Sequence, residues 1–178
     1  MHLFGNHNYE NVMAAIAMTI EAGVPLNIII NVIKDFMGVE HRIEYVRDKN
    51  GVRYYNDSKG TNPDSSIKAL EAMSRPTILI AGGYDKHSEF DEFIEAFDNK
   101  VKLMVLLGQT ADKIEETAVR HGFTNIIKTD SLEKAVKICA ENAVSGDVVL
   151  LSPACASWGM FKNYEERGKL FKEYVNSL

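Results

Sequence analysis

From residue 63 onward, short apolar runs alternate with segments that have helical spacing. The apolar runs are TILIAGG (77–83), VKLMVLLG (101–108), TNIIKT (124–129) and DVVLLS (147–152). Strands that are buried on both faces are apolar along their length, whereas helices that cover a sheet carry one apolar stripe. The alternation therefore predicts an α/β fold of the Rossmann-like type, with a mostly parallel sheet covered by helices on both faces.

Capping and turn residues mark the limits of the helices between these strands. Helices are predicted in NPDSSIKALEAM, FDEFIEAF, TADKIEETAVRHG and SLEKAVKICAENA, and over about residues 161–175. Asn62 and Ser131 precede two of them, and their side-chain oxygens can accept hydrogen bonds from free amides of the first turn. Pro63 suits a first turn because it has no amide hydrogen, and Gly122 suits a helix end. These signals support one α/β domain over residues 39–178.

The segment before residue 63 predicts two helices and a hairpin. The apolar residues of NYENVMAAIAMTIEA (8–22) recur with helical spacing, and LNIIINVIKDFMG (26–38) is apolar over most of its circumference. Both helices need something to pack against. Residues 42–56 predict a β-hairpin, because apolar residues flank the Asn50-Gly51 pair, which favours a tight two-residue turn.

Charge, length and composition exclude several classes of partner. The 178 residues are 46% hydrophobic, which is enough for one domain with a buried core. A net charge of -5 without a basic block argues against binding to nucleic acid. Since no apolar run approaches the ~20 residues that span a bilayer and no secretion signal is recognisable, we expect a cytoplasmic protein without membrane insertion. Cys139 and Cys155 lack the spacing of metal ligands, so we expect reduced thiols.

Three loops that follow predicted strands are unusually rich in polar or small residues: YNDSKGTNP, AGGYDKHSEF and SPACASWGMFKN. Ligands of open parallel sheets bind at the carboxyl ends of the strands, in loops of this kind. In the first loop, a polar turn with helix capping explains part of the pattern. Beyond that, Asp57 could accept hydrogen bonds from ribose hydroxyls, while Lys59 and Thr61 could meet an anion.

The other two loops each allow a structural and a functional interpretation. The paired glycines of the second loop either permit close approach of a ligand beside Lys86 or form a tight turn with a surface lysine. The small residues from Ser152 to Ser157 leave room for an anion such as a carboxylate at the N-terminus of the last helix. Alternatively they pack strand against helix with Ser157 as a cap, or Cys155 is a nucleophile. The sequence contains no Gly-x-Gly-x-x-Gly, which disfavours a conventional nicotinamide or flavin site.

Five stretches occur in the order and at the separations of one known family. They are HNYENVMAA, VEHRIEYV, YNDSKGTNP, LIAGGYDK and LLSPACASWGMFKNYEERG, which together extend over nearly the whole chain. In these motifs the sequence closely resembles the Mur ligases of peptidoglycan synthesis. That family has an N-terminal domain for a uridine nucleotide, a central ATPase domain and a C-terminal Rossmann-like domain that receives an amino acid. The resemblance implies that residues 1–38 are the last helices of the central domain and residues 39–178 the amino-acid-binding domain.

The resemblance also implies a reaction, because SPACAS followed by FKNYEERG is the form of the motif in family members that add D-glutamate. Such a ligase uses ATP and Mg²⁺ to turn the carboxyl group of UDP-N-acetylmuramoyl-L-alanine into an acyl phosphate, which the D-glutamate amine attacks. Positioning and charge neutralisation suffice for this chemistry, so no covalent nucleophile is expected. The phosphate loop of the family is not found in the 178 residues, so we expect the chain alone to be inactive. We expect ATP and Mg²⁺ to be bound mainly by the domain upstream of it. Helices 9–37 could self-associate without their central domain.

The resemblance assigns site residues motif by motif, and it gives this chain neither a catalytic side chain nor a metal ligand. The residues implied for the nucleotide are Asn8 by the adenine, Arg42 at the phosphates, Asp57 on the ribose, and His41 beside Arg42. The residues implied for the D-glutamate carboxylates are Thr61, Lys86, Ser157, the backbone around Tyr164, and Lys59 beside Thr61.

Two glycines depart from the family pattern. Gly60 stands where related ligases commonly have alanine, and we expect this difference to be mild. Gly159 stands where an aspartate is common; we expect that aspartate only to cap the last helix, so that its loss costs about 1 kcal/mol. A stand-alone Rossmann-like module that binds a nucleotide or anion without ligase activity is the alternative function.

Overall fold

The computed structural model describes residues 5–178 of the chain. Two compact units are present, Met1–Glu40 and His41–Leu178. The described part of the first contains two helices, and the second contains a six-stranded sheet with its covering helices. Across residues 5–178, no helix combines the length and the apolar character needed to cross a membrane. The assignment of residues 1–38 to a central ATPase domain stays a prediction.

The helices of the first unit leave much apolar surface exposed. α1 spans Asn6–Glu21, and α2 spans Leu26–Asp35, slightly less than the predicted segment. Ile29 is buried, whereas Ile20 and Ile30 are 50% and 41% exposed. These exposed side chains agree with the expectation that both helices need a further packing partner. Their self-association stays a prediction.

The second unit alternates strands and helices in the order expected from the sequence. Its strands are β1 (Glu44–Lys49), β2 (Val52–Asn56), β3 (Thr77–Ala81), β4 (Val101–Leu106), β5 (Ile126–Lys128) and β6 (Val148–Leu151). Its helices are α3 (Pro63–Glu71), α4 (Asp91–Glu95), α5 (Ala111–Arg120), α6 (Leu132–Asn142) and α7 (Tyr164–Ser177). The strand order in the sheet is β1-β2-β6-β3-β4-β5, with β1 antiparallel to β2 and the other neighbours parallel. The predicted Rossmann-like α/β fold is confirmed.

The residues that predicted a turn and helix caps form these structures. Asn50 and Gly51 both have positive φ angles, 53° and 79°, as a tight hairpin turn of this kind requires. The Asn62 side chain accepts a hydrogen bond from the Ser65 amide at the start of α3, and Ser131 caps α6 in the same way. The hairpin and both caps are therefore confirmed.

Successive residues of the central strands point to opposite faces of the sheet. In β3, Leu79 and Ala81 pack with α3, α4 and α5 on one face. Ile78 and Ile80 pack with α6 and α7 on the other, and all four side chains are fully buried. Because each face has its own helices, the strand can be apolar throughout, which is the pattern that predicted a parallel sheet.

The carboxyl ends of β2, β6 and β3 lie side by side, because these three strands are parallel neighbours. The connection after β3 leads to α4 on one face of the sheet, whereas the connection after β6 leads to α7 on the other face. Such a divergence opens a crevice between two strands, and ligands of open α/β sheets bind there. The fold therefore brings the three unusual loops of the sequence to one edge.

Candidate functional site

Three loops meet at this edge of the sheet. The β2 loop is residues 57–62, the β3 loop is residues 82–90, and the β6 loop is residues 152–163. Direct hydrogen bonds join the β6 loop to each of the other two. The polar motifs that are far apart in the sequence thus form one continuous region.

Backbone hydrogen bonds join the β3 loop to the β6 loop. The Gly82 amide donates to the Pro153 carbonyl at 2.8 Å, and the Tyr84 amide donates to the Ala156 carbonyl at 2.9 Å. A Cβ atom on Gly83 would lie 2.4 Å from the Ala156 oxygen, and its φ angle of 153° also favours glycine. The paired glycines therefore permit the close approach of two loops.

Cys155 is enclosed where the β3 and β6 loops meet. Its sulfur lies 3.2 Å from the Thr110 hydroxyl, which also accepts a hydrogen bond from the Gly83 amide at 3.0 Å. Burial raises the pKa of Cys155 to about 11, so the thiol is not ionised at neutral pH. Because the thiolate is the nucleophilic form, this environment argues against a catalytic cysteine.

Asp57 is the centre of a buried polar cluster at the start of the β2 loop. Its carboxylate accepts hydrogen bonds from the Ile43 amide at 3.2 Å and from the Ser152 hydroxyl at 2.7 Å. The Ser66 hydroxyl oxygen lies 2.8 Å from that of Ser152, which extends the cluster to α3. Burial raises the pKa of Asp57 to about 7, against the opposing effects of these hydrogen bonds and of nearby arginines. These hydrogen-bond partners are internal to the domain, and the ribose contact of Asp57 stays a prediction.

Gly60 packs directly onto this cluster, so a methyl group added there would meet buried polar side chains. A Cβ atom on Gly60 would lie 2.5 Å from Oδ2 of Asp57. It would also lie 2.9 Å from Oγ of Ser66 and 3.0 Å from Oγ of Ser152. Nothing near position 60 in the sequence indicates that α3 and β6 contribute to its surroundings, and the expectation that glycine in place of alanine is mild stays a prediction.

We expect Gly60→Ala to lower the free energy of unfolding by about 1–3 kcal/mol, because the added methyl group must displace buried polar atoms. Chemical denaturation measures this change. The NMR resonance of the Ile43 amide, which donates to Asp57, reports whether the carboxylate has moved. Wild-type stability together with an unshifted Ile43 resonance would show that the cluster tolerates a methyl group.

Arg167 joins α7 to two of the loops through a buried guanidinium group. Its Nε donates to Oγ of Ser58 at 3.0 Å, and its Nη2 donates to the Ser58 carbonyl at 2.8 Å. Its Nη1 donates to the Cys155 carbonyl at 3.1 Å. The side chain is 2% exposed, and burial lowers its pKa to about 10, so it is still charged at neutral pH. Arg167 therefore fixes the β2 and β6 loops against one helix.

Sequence reasoning missed Arg167, although one signal pointed to it. Arg167, Phe171 and Val175 recur at intervals of four residues, and all three are buried. A charged residue on the apolar stripe of a helix is rarely buried without hydrogen-bonding partners. The position of Arg167 on that stripe could therefore have indicated that its side chain is buried and hydrogen-bonded to other parts of the domain.

His41 and Arg42 are neighbours in the sequence but have different surroundings. His41 is buried, its Nδ1 lies 2.9 Å from the Asn56 side-chain nitrogen, and a Cβ atom on Gly168 would lie 2.3 Å from the same Nδ1. Arg42 is exposed. The side chain of Arg42 is thus open to an anion, whereas His41 is packed against α7. The nucleotide contacts of both residues stay predictions.

Lys59 and Tyr164 are brought together, although 105 positions separate them in the sequence. The Lys59 ammonium lies 5.6 Å from the centre of the Tyr164 ring, within the range of a cation–π interaction. The Lys59 amide donates to the His41 carbonyl at 2.9 Å, and the Ser58 hydroxyl donates to the Tyr164 carbonyl at 2.8 Å. The start of α7 therefore lies against the β2 loop.

The other predicted site residues are distributed among the three loops and the first unit. Thr61 is half-buried in the β2 loop, Lys86 is exposed in the β3 loop, and Ser157 is buried in the β6 loop. Asn8 lies in α1 of the first unit. The same edge of the second unit thus carries Thr61, Lys86 and Ser157. Their ligand contacts, like that of Asn8, stay predictions.

The last helix begins later than predicted, and this changes the interpretation of the β6 loop. Asn163 is its cap, accepting a hydrogen bond from the Glu166 amide at 2.8 Å. The interpretation of Ser157 as a cap is therefore wrong, whereas the room for an anion at the N-terminus of this helix stays a prediction. Gly159 does not occupy the cap either: its φ angle is 83°, and a Cβ atom there would meet nothing within 4 Å. The expectation that an aspartate at position 159 would cap the helix is wrong for the same reason.

Two exposed aromatic rings lie beside Ser157. Tyr84 of the β3 loop and Trp158 of the β6 loop have ring centres 5.5 Å apart in an edge-on arrangement. Their exposed fractions are 39% and 55%. The β3 and β6 loops are therefore in contact at the surface of the domain as well as in its interior.

Known proteins resemble this chain in both sequence and fold. The profile of the family described as "Mur ligase, glutamate ligase domain" matches residues 41–155. The chain is 66% identical over all its 178 residues to the UDP-N-acetylmuramoylalanine–D-glutamate ligase of Lachnospira eligens. It is 60% identical over the same length to the ligase of that name from Lachnoclostridium phytofermentans. The chain spans 40% and 39% of the lengths of these two relatives.

Solved structures of related architecture share the fold at low sequence identity. The UDP-N-acetylmuramate–alanine ligase of Thermotoga maritima superposes with a TM-score of 0.73 at 17% identity, covering 98% of this chain and 39% of its own. A pseudomurein peptide ligase from Methanothermus fervidus gives a TM-score of 0.72 at 16% identity, covering 97% of this chain and 36% of its own. At such identities the similarity establishes the fold alone.

Proposed function

We propose, on the premise that this chain belongs to the Mur ligase family, that its second unit receives D-glutamate in a ligase joining that amino acid to UDP-N-acetylmuramoyl-L-alanine. The meeting of the β2, β3 and β6 loops at one edge of the sheet carries the proposal. The names and identities of the two bacterial relatives support D-glutamate as the amino acid.

The side chains at this edge suit an amino acid with two carboxylates. Lys86 is an exposed ammonium group, and Lys59 lies beside Tyr164 at the start of α7. Thr61 and Ser157 add hydroxyl groups on the two flanking loops. Hydrogen bonds from ammonium groups to carboxylates are stronger than those between neutral groups. We assign the carboxylates to these residues, which leaves the amine of D-glutamate free to react.

In the proposed reaction, the D-glutamate nitrogen attacks the acyl carbon of the activated muramoyl-alanine. A carbon–nitrogen bond forms, the carbon–oxygen bond to phosphate breaks, phosphate departs, and the nitrogen loses a proton. The contribution of this chain is to hold the nucleophile in position, which can replace an improbable encounter of two molecules by a favourable geometry. The enclosed Cys155 agrees with a mechanism that needs no covalent intermediate on the protein.

ATP would supply the phosphoryl group that activates the carboxyl of the acceptor. The exposed Arg42 fits a phosphate contact from this chain, because a guanidinium group binds phosphate oxygens in a planar, two-pronged geometry. Asp57 fits a ribose contact less well, since its carboxylate accepts hydrogen bonds from Ile43 and Ser152. Among the side chains that the structure describes, no group of three carboxylate, histidine or cysteine residues is placed to hold a metal ion.

The first unit is proposed to be the end of the central ATPase domain, with Asn8 near the adenine. Its support is the exposed apolar surface of α1 and α2, including Ile20 and Ile30. The chain spans 40% of the Lachnospira eligens relative, so a further domain would have the length to cover these helices. The cytoplasm is the proposed location of the ligase.

A chimeric ligase tests the proposed function. The region of the Lachnospira eligens ligase that matches this chain is replaced by the chain's own 178 residues. Release of phosphate from ATP is then measured with UDP-N-acetylmuramoyl-L-alanine and either D- or L-glutamate. We expect turnover that depends on D-glutamate and discriminates against L-glutamate. The proposal would be refuted by a folded chimera that releases phosphate with neither enantiomer of glutamate, or equally with both.

Lys86→Ala in the same chimera tests the assignment of a carboxylate contact. We expect the KM for D-glutamate to rise by at least about tenfold, because one charge-assisted hydrogen bond is lost. The KM for ATP should change little. Lys100→Ala is the matched control, since Lys100 precedes β4 at the opposite edge of the sheet. Equal KM values for D-glutamate in the two variants would remove Lys86 from the site.

A further inference from the structure

Ala154 adopts a backbone conformation that requires support from its surroundings. Its φ angle is 57°, in the left-handed region that residues with a side chain rarely occupy. The residue is buried in the β6 loop, three positions before Ser157. Something must therefore hold Ala154 in this conformation if the loop is to keep its path.

The Ser66 hydroxyl is placed to provide that support. Its oxygen accepts a hydrogen bond from the Ala154 amide at 2.9 Å and lies 2.8 Å from the Ser152 hydroxyl oxygen. One side chain of α3 thus contacts both Ser152 and Ala154, the two ends of the segment 152–154. Ser66 itself is fully buried, so water cannot readily replace the hydrogen bond.

α3, which carries Ser66, is itself held in place by its cap and by the core. The side chain of Asn62 caps its first turn, and Ala69 and Leu70 pack into the core on one face of the sheet. The Ser152 hydroxyl in turn donates to Asp57, so this segment is connected to the β2 loop as well. The path of the β6 loop is therefore fixed relative to two elements that precede it in the sequence.

We propose that Ser66 is a positioning residue for the D-glutamate site, which holds Ala154 in its left-handed conformation and thereby sets the location of Ser157. The proposal rests on the proposed function for its ligand. It assigns a role to a residue of α3 that the sequence motifs did not single out. Ser66 acts through the loop and does not itself touch the substrate.

Ser66→Ala in the chimeric ligase tests this role through the kinetics. We expect the KM for D-glutamate to rise by about tenfold, as for the loss of one buried hydrogen bond, with a smaller change in kcat. Ser65→Ala is the matched control on the same helix and should leave both constants unchanged. Equal KM values for wild type and Ser66→Ala would overturn the proposal.

A second substitution separates positioning from a general loss of structure. Glycine adopts positive φ angles without the steric penalty of alanine. We therefore expect Ala154→Gly, added to Ser66→Ala, to recover at least about a third of the lost D-glutamate affinity. A double variant no better than Ser66→Ala would show that Ser66 does not act by holding Ala154.

Hydrogen exchange of the Ala154 amide keeps this proposal distinct from the proposed function. Ser66→Ala should speed that exchange by at least about tenfold in the 178-residue chain without ligand, while Leu79 in the central strand is unaffected. If the wild-type chimera ignores D-glutamate but this exchange accelerates, the proposed ligand is wrong and the contact of Ser66 with the loop stands. If the exchange does not change, the positioning role of Ser66 is overturned whatever the ligand.

Discussion

Arg167→Ala should destabilise the second unit by about 3 kcal/mol or more, because three buried oxygen acceptors lose the donor that they share. Those acceptors are the hydroxyl and carbonyl of Ser58 and the carbonyl of Cys155. Each buried acceptor that is left unpaired costs about 1–3 kcal/mol, and water has little access to them. The volume vacated by the guanidinium group adds a cavity. The effect should therefore exceed that of any surface substitution on α7.

Chemical denaturation of the variant and the wild-type chain measures the difference. Lys169→Ala, on the same helix but with an exposed side chain, is the control and should change the free energy of unfolding by less than about 0.5 kcal/mol. Arg167→Lys should recover only part of the loss, because a single ammonium group cannot reproduce the planar arrangement of three donors. If the variants at positions 167 and 169 unfold at the same denaturant concentration, the hydrogen bonds of Arg167 do not stabilise the domain.

The free energy of unfolding should fall as the pH rises from about 4 to about 7, because Asp57 releases its proton later in the fold than in the unfolded chain. Burial raises its pKa from 3.8 to about 7 in the folded domain. Between these values the folded state holds one proton that the unfolded state has lost. Stability then decreases by about 1.4 kcal/mol for each pH unit. Below the interval both states are protonated and above it neither is, so Asp57 adds no further slope.

Asp57→Asn removes this slope, and the difference between variant and wild type isolates it from other titrating groups. The amide has nearly the same shape, its oxygen can still accept from the Ile43 amide, and the Ser152 hydroxyl can accept from its nitrogen. Denaturation curves at several pH values between 4 and 7 provide the measurement. Parallel pH profiles for the two proteins would mean that Asp57 is ionised throughout the interval in the fold.

The fold was predictable because its signals are local. Asn50 and Gly51 specify a hairpin turn by their tolerance of positive φ, and Asn62 specifies a helix start through its own side chain. The apolar strands required helices on both faces, which indicated a parallel sheet without knowledge of the strand order. Each of these inferences used residues within a few positions of one another.

The site was only partly predictable because its essential contacts join distant parts of the chain. The sequence correctly placed the three loops after predicted strands, where ligands of open parallel sheets bind. The motifs gave no indication that Arg167 reaches Ser58, or that Gly60 packs against Ser66 and Ser152. Such contacts depend on the strand order β2-β6-β3, in which the last strand of the chain is inserted between two earlier ones.

The aromatic pair beside Ser157 gives the protein an optical property that follows from its geometry. Trp158 is the single tryptophan of the sequence, the residue is 55% exposed, and its ring centre lies 5.5 Å from that of Tyr84. All tryptophan emission from the chain therefore originates at this one place. A molecule that shields the indole, or alters its distance from the tyrosine, changes the wavelength or the intensity of that emission. The chain thus carries its own fluorescent probe at the edge of the sheet where the three loops meet.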